Sequence, residues 1–388
     1  MWPENPTNRS SGMSKRPYTV HAVIRMAAIL KAFSSPNEIL ALRIVQGRTG
    51  MKKNTAFRML ETLVEAGLLE RSGRQGYRSR VKAVGSKQYR IGYASQSPLL
   101  PYTGIVTDSL VISAATANID FLVVSNGFSS KIALENVDRF VAEKVDLVID
   151  SQIYLNVSAQ IGGKLCDAKI PFIAVDIPHP GGTYFGVDNY DAGRLAGRHA
   201  GSWIVKNWEG RMKQILFLGS DAAGTFLNER LTGVSDALGG QIPNVNSIRR
   251  TYYDTKGGRF DATLEIVRRH IRRCKTDGTL VVAVNDTVAL AALYAFREIG
   301  FEEGCAVIGH DGSVEVRQEL RKPETRLIGS VAFFPEDYGP QLIKLAIDIL
   351  ENRPVPPAVF IRHKLVTACN VDKIYPNDFW IMPLSRYA

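Results

Sequence analysis

Lys52, Lys53, Asn54 and Arg58 stand within seven residues of one another, and all four can read the edges of nucleic-acid bases. Arg and Lys donate hydrogen bonds to guanine, and Asn pairs in both directions with adenine. More arginines follow in "LERSGRQGYRSR", at Arg71, Arg74, Arg78 and Arg80, where contacts to phosphate would position the chain without specifying a sequence. A second set has another chemistry. Asp150, Asp176, Asn285, Asp286 and Asp311 each close a short apolar run, with Tyr102, Tyr184, Phe226 and Phe333 as accompanying aromatics. Carboxylates and amides held at fixed points hydrogen-bond sugar hydroxyls, and aromatic faces pack on the C–H face of a ring. The same residue types also cap helices. Asp286, directly before a helical stretch, fits capping better, whereas Asp176 and Asp311 fit ligand binding.

Other chemistries are poorly served. The chain has no GxxxxGK[ST] phosphate loop, no GxGxxG fingerprint, no GxSxG elbow and no HExxH. The six histidines (His21, His179, His199, His270, His310 and His363) are dispersed. His310 beside Asp311 has no nucleophile to serve, and His179 in "DIPHPGG" reads as a turn residue. Cys166, Cys274, Cys305 and Cys369 form no CxxC pair, so neither a zinc site nor a disulfide framework is implied. No metal or redox cofactor is expected.

Periodicity gives the elements that would hold these residues. In "VHAVIRMAAILKAF", Val20, Val23, Ile24, Ala27, Ala28, Ile29 and Leu30 recur at helical spacing. "ILALRIVQGRTG" predicts a short second helix stopping at Gly50, and "MKKNTAFRMLETLVEAG" a third stopping at Gly67. The third turns Ala56, Leu60, Leu63 and Val64 inward and Asn54, Phe57, Arg58, Glu61 and Glu65 outward. Two short strands around "SGRQG" complete a winged helix-turn-helix. In such a module the first turns of the third helix meet base edges, and Glu61 and Glu65 lie at the far end, where phosphate would repel them. The charge agrees: residues 1–88 hold 16 Lys and Arg against 5 Asp and Glu, the remainder 32 against 33. The +10 of the whole chain therefore belongs to this segment, which calls for a polyanionic partner.

From residue 89, "YRIGYA", "DFLVVSN", "VDLVIDS", "PFIAVDI", "QILFLGS", "TLVVAVND" and "CAVIGHDG" alternate with helical stretches. Runs that are apolar on both faces predict parallel strands covered by helices on both sides. The fold class is α/β, a doubly wound body behind a winged helix-turn-helix. Roughly 300 residues exceed a usual single sheet, so two lobes are expected, with ligand beyond the carboxyl ends of the strands. The division is a leader (1–17), the winged helix-turn-helix (18–81), a linker (82–88), the sensing body (89–375) and a tail (376–388). No run of ~18 apolar residues exists and the first twenty residues hold no apolar core, so a cytoplasmic protein is expected.

The segment with "ILKAF" and "LRIVQGRTGMKKNTAFRMLETLVEAGLLER" resembles the IclR-type winged-helix domain over about 60 residues. That resemblance implies that Lys53, Asn54, Phe57 and Arg58 face DNA. Phe57 departs from the polar residues common there, and a thymine methyl would suit it. The remainder is unlike the effector domain usual in that family. Residues 89–375, through "FGVDNYDAGRLAG", "VVAVNDTVALAALYAFREIG", "VIGHDGS" and "LENRPVPPAVFIRHKLVT", resemble type I periplasmic binding proteins of the ribose-binding kind and LacI-type effector domains. This second resemblance implies two lobes (89–187 with 334–358, and 188–333 with 359–375) joined by three crossings. It also implies a sugar pocket of Tyr102, Asp150, Asp176, Asn228, Asn285, Asp311 and Phe333. Ile177 stands where an arginine is usual, Asn228 in place of a second arginine and Phe333 in place of a glutamine. These changes point away from ribose, to a less polar or differently substituted ligand.

The expected function is a ligand-responsive transcriptional regulator, a repressor, binding operator DNA as a homodimer and a monosaccharide or related polyol as effector, with no membrane partner and no catalysis. The alternatives are a sugar-binding receptor for a transport system, against which the basic module speaks, and a sugar-modifying enzyme, for which no catalytic constellation is present.

Overall fold

The computed structural model describes residues 21–33, 38–73, 76–80, 88–97 and 100–378. The expected leader, almost all of the expected linker and Arg74 lie outside them. Two compact units divide at Ala83 and Val84, and each is described by itself.

The first unit runs α1 (His21–Lys31), β1 (Ile39–Ala41), α2 (Leu42–Thr49), α3 (Lys53–Glu65), β2 (Leu69–Ser72) and β3 (Gly76–Ser79). Ile29, Leu40, Val45, Leu60, Leu63, Leu69 and Tyr77 form its core. Ile39–Ala41 is a strand, not the start of the second helix. Only Leu40 of the three is buried, and it pairs with Tyr77 of β3 in a sheet of order β1-β3-β2. Ile24, expected on the inner face of α1, is exposed.

The second unit begins with β4 (Arg90–Ser95), α4 (Pro101–Thr116), β5 (Asp120–Ser125), α5 (Ser130–Ala142), β6 (Leu147–Ser151), α6 (Leu155–Asp167), β7 (Phe172–Val175) and β8 (Thr183–Gly186). It continues with α7 (Asn189–Trp208), β9 (Gln214–Gly219), α8 (Gly224–Gly239), β10 (Arg249–Asp254), α9 (Phe260–Arg273), β11 (Thr279–Ala283), α10 (Asp286–Glu298), β12 (Cys305–Asp311), α11 (Val314–Leu320) and β13 (Leu327–Ala332). It closes with α12 (Tyr338–Leu350), β14 (Ala358–Phe360), β15 (Lys364–Val366) and α13 (Val371–Ile374).

These strands form two six-stranded sheets, one of order β14-β8-β7-β6-β4-β5 and the other β10-β9-β11-β12-β13-β15. Every pairing is parallel except β13 with β15. Helices cover the sheets because the strands are apolar on both faces: all residues of β7, β9, β11 and β13 are buried. The chain passes between lobes after β8, after β13 and between β14 and β15. The third passage lies at 361–363 rather than at the expected 358/359, because Ala358–Phe360 pairs with β8 of the first lobe. The second unit also extends past the expected boundary at 375. Asp378 is buried and accepts hydrogen bonds from Arg317 (2.8 and 2.7 Å) and Arg321 (2.9 Å). No helix among the described residues is long and apolar enough to cross a membrane.

Candidate ligand cleft and nucleic-acid interface

The cleft is built where strands end. Asp176 follows β7 directly, and Asp311 is the last residue of β12. Both take positive φ, 64° and 123°, conformations that cost a non-glycine residue of order 1–3 kcal/mol and concentrate at functional sites. Between them comes Arg230 of α8, only 5% exposed. Its Nε donates to Asn189 Oδ1 (2.7 Å) and its Nη1 to the Val284 carbonyl (2.8 Å), with Asp311 Oδ1 3.8 Å from Nη1. The guanidinium lies over the Phe333 ring at 4.6 Å, a cation–π contact on a buried platform. Burial raises the Asp176 carboxyl to about 6 against the pull of Arg230. Burial, and then the nearby Asp286, hold Asp311 well above the usual carboxylate range. Two half-buried carboxylates thus stand near one fixed, buried cation.

Aromatic walls complete the cleft. Tyr102 of α4 donates its hydroxyl to Tyr338, the rings meeting edge to face at 6.0 Å. Tyr184 of the first lobe meets Phe226 of the second at 5.4 Å. At the rim the lobes touch directly. Gly224 has φ 62°, and a Cβ there would come within 2.4 Å of Leu155 Cδ2, so only glycine fits. Around this space Gln96 Nε2, Gln152 Nε2, Asp150 Oδ1, Asp176 Oδ1 and Ser220 Oγ are buried without a hydrogen-bond partner. Native proteins leave few such atoms unsatisfied, and these five lie at or just beyond strand ends of both lobes.

In the first unit, Ala56, Leu60 and Leu63 turn α3 so that Lys52, Lys53, Asn54, Phe57 and Arg58 are all exposed. The wing behaves differently. Glu61 Oε1 accepts the Tyr77 hydroxyl (2.7 Å), and its other oxygen pairs with Arg71. Glu70 accepts from Arg78 (3.3 Å) and Arg80 (3.1 Å). Arg71 and Arg78, expected on phosphate, are therefore already in ion pairs. Glu61, expected only as a charge kept away from DNA, joins the helix to both wing strands.

Residues 102–354 match the periplasmic binding protein domain, most of the chain. The chain belongs to this family. Residues 22–73 match the IclR helix-turn-helix domain. No curated protein matches the chain. Among solved structures, a periplasmic binding protein from Actinobacillus succinogenes with bound D-allose is 17% identical, covers 74% of this chain and 100% of its own, and superposes with a TM-score of 0.64. A solute binding protein from Bacillus halodurans with bound myo-inositol gives 19%, 76%, 99% and 0.64. The fructose-binding periplasmic domain of a hybrid two-component system gives 25%, 77%, 97% and 0.64.

Within this periplasmic-binding-protein fold the expected pocket residues divide. Asp176, Asp311 and Tyr102 gather at the strand ends around Arg230. Asp150 is fully buried against His179 Nε2 (2.7 Å), so His179 is a partner of Asp150 and not merely a turn residue. Asn228 is spent on its own loop: its Nδ2 donates to the Ser220 and Gly224 carbonyls (3.0 and 2.9 Å), and its Oδ1 accepts the Ser220 N–H (3.0 Å). Arg230, two residues beyond Asn228, is the arginine of α8 that stands beside Asp311 and Phe333. Phe333 is 1% exposed and serves as the floor under Arg230. Asn285 caps α10 through the Val288 N–H (2.9 Å), the role expected of Asp286. Asp286 instead ties Ser313 N–H and Ser330 Oγ (both 2.6 Å), and burial raises it to about 7. His310 is no acid–base partner: its Nδ1–H donates to the Ala283 carbonyl (2.9 Å), and burial pushes the ring down to about 3. Arg230 had a sequence signal, since it shares the inner stripe of α8 with Leu231, Val234 and Leu238.

Proposed function

We propose that the chain is a cytoplasmic, ligand-responsive transcriptional regulator, a repressor that binds operator DNA as a homodimer and a small polyhydroxy compound as effector. The observation that carries this reading is the pairing, in one chain, of an exposed Lys-Lys-Asn-x-x-x-Arg helix face with an Asp–Arg–Asp cluster between lobes whose arginine is buried. The first set suits base edges and phosphate; the second suits hydroxyl groups, which donate to carboxylates and accept from a guanidinium. Similarity to proteins holding D-allose, myo-inositol and fructose supports a sugar or cyclic polyol. Ile177 in place of a second arginine supports a ligand other than ribose. Ligand acts by preferring one arrangement of the lobes, and the response is bounded by that difference in affinity.

The test is a melting screen of the whole protein against monosaccharides and polyols, followed by operator selection with and without the hit. A ligand at 100 times its Kd should stabilise by about 2.7 kcal/mol. Asp311→Ala should keep operator affinity while needing about 10- to 100-fold more ligand, from the loss of a charge-assisted hydrogen bond worth about 1.5–3 kcal/mol. No shift with any sugar or polyol, or consumption of the sugar, defeats the sensor reading. A monomer on DNA by light scattering defeats the dimer.

A further inference from the structure

The wing hairpin carries its own countercharges. Arg71 of β2 pairs with Glu61 of α3, while Arg78 of β3 and Arg80 just beyond it converge on Glu70 of β2. Every arginine described in the wing is thus committed to a carboxylate, whereas Lys52, Lys53 and Arg58 on α3 have no ion-pair partner among the described residues. The pairing is built in: Glu61 is also held by the hydroxyl of Tyr77, itself part of the core, and Tyr77 and Arg71 keep Glu61 below the ordinary carboxylate range. A carboxylate fixed beside an arginine cancels its attraction for phosphate and repels phosphate itself.

We propose that Glu61 and Glu70 are specificity-determining residues that hold the wing arginines off the DNA backbone and leave recognition to the exposed turn of α3. This rests on the reading of the first unit as a DNA-binding module. Non-specific binding is almost wholly electrostatic, and a protein on random DNA can reorient to bring any free cation to a phosphate. At the operator, base contacts from α3 fix the orientation, so extra cations gain less. Neutralising the wing therefore costs little at the operator and much elsewhere.

The experiment measures binding of the full-length protein to operator and random-sequence duplexes over a range of salt. Glu70→Gln carries the test, because Glu70 binds only surface arginines; Glu61→Gln, which also touches Tyr77, is the second variant. On random DNA, Glu70→Gln should steepen the slope of log K against log salt by about 0.9 for each arginine freed, and Glu61→Gln by about 0.9. The ratio of operator to random affinity should fall in both. Unchanged slopes, or equal gains on both duplexes, overturn the proposal. Failure of the unmodified protein to bind any duplex overturns the DNA-binding reading itself, and this proposal with it.

Discussion

Arg58 stands on an exposed face of α3 with no ion-pair partner among the described residues, whereas Arg230 is buried among Asn189, Val284, Asp311 and Phe333. The same guanidinium is used in two opposite environments. On the helix face its field extends into solvent, falls off within about a Debye length of 10 Å at 0.1 M salt, and can be removed without disturbing the fold. In the cleft it is fixed by three kinds of contact, and its neighbours depend on its charge. One surface is tuned by salt, the other by pH.

The largest effect that could break this contrast is at Arg230. Arg230→Met keeps most of the volume but leaves the half-buried carboxylates of Asp311 and Asp176 without a countercharge. Unfolding near pH 7.5 should show a loss of about 3–5 kcal/mol, shrinking toward pH 5 as those carboxylates take up protons. A variant melting with the unmodified protein at both pH values would show that the buried cation is not structural.

Asp176 offers the next effect, of opposite sign. Its folded value of about 6 lies above the 3.8 of a free aspartate. The folded state therefore binds the proton more tightly, and the ionised carboxylate opposes folding above pH 6. That opposition is relieved as pH falls toward 4. Asp176→Asn should stabilise the free protein by up to about 3 kcal/mol at pH 7 and by almost nothing near pH 4, while weakening ligand response. A pH-independent difference would place the cause in packing.

The smallest effect sharpens the contrast from the other side. Arg58→Ala should leave the melting temperature unchanged and cost about 1–3 kcal/mol of operator binding, with discrimination relaxed at one base position. Intact specificity would move sequence readout off this part of α3.

How far the sequence could be read follows the same division. The face of α3 is legible because Ala56, Leu60 and Leu63 repeat at helical spacing, and what is not inward must be outward. Strands β4, β5, β6, β7, β9, β11 and β12 are legible as apolar runs. Strands β8, β10, β13, β14 and β15 are not. "TYFG" is short and ends in glycine, "RRTYYD" lies at a sheet edge with charged residues facing out, "LIGSVA" is broken by Gly329 and Ser330, and the last two have three residues each. The cleft was legible as a place but not residue by residue. Whether Asn228 or Arg230 enters it depends on how Gly224 starts α8 and on Asn228 turning back to Ser220. Which of Asn285 and Asp286 caps α10 depends on Ser313 and Ser330, 27 and 44 residues further on. Local pattern carries no record of such distant partners.

The contact of Leu155 with Gly224 bears on time rather than on affinity. There the Leu155 side chain of one lobe fills the space beside Gly224 of the other, so in the proposed sensor a molecule held between the lobes would leave as this contact parts. Lobe motions of this kind run on microseconds to milliseconds, and in the proposed sensor their opening rate would set how long an occupied cleft stays occupied after the compound disappears from its surroundings. Gly224→Ala, strained by the positive φ and pressing on Leu155, would loosen this contact and shorten that memory, making exchange faster even where equilibrium binding changed little.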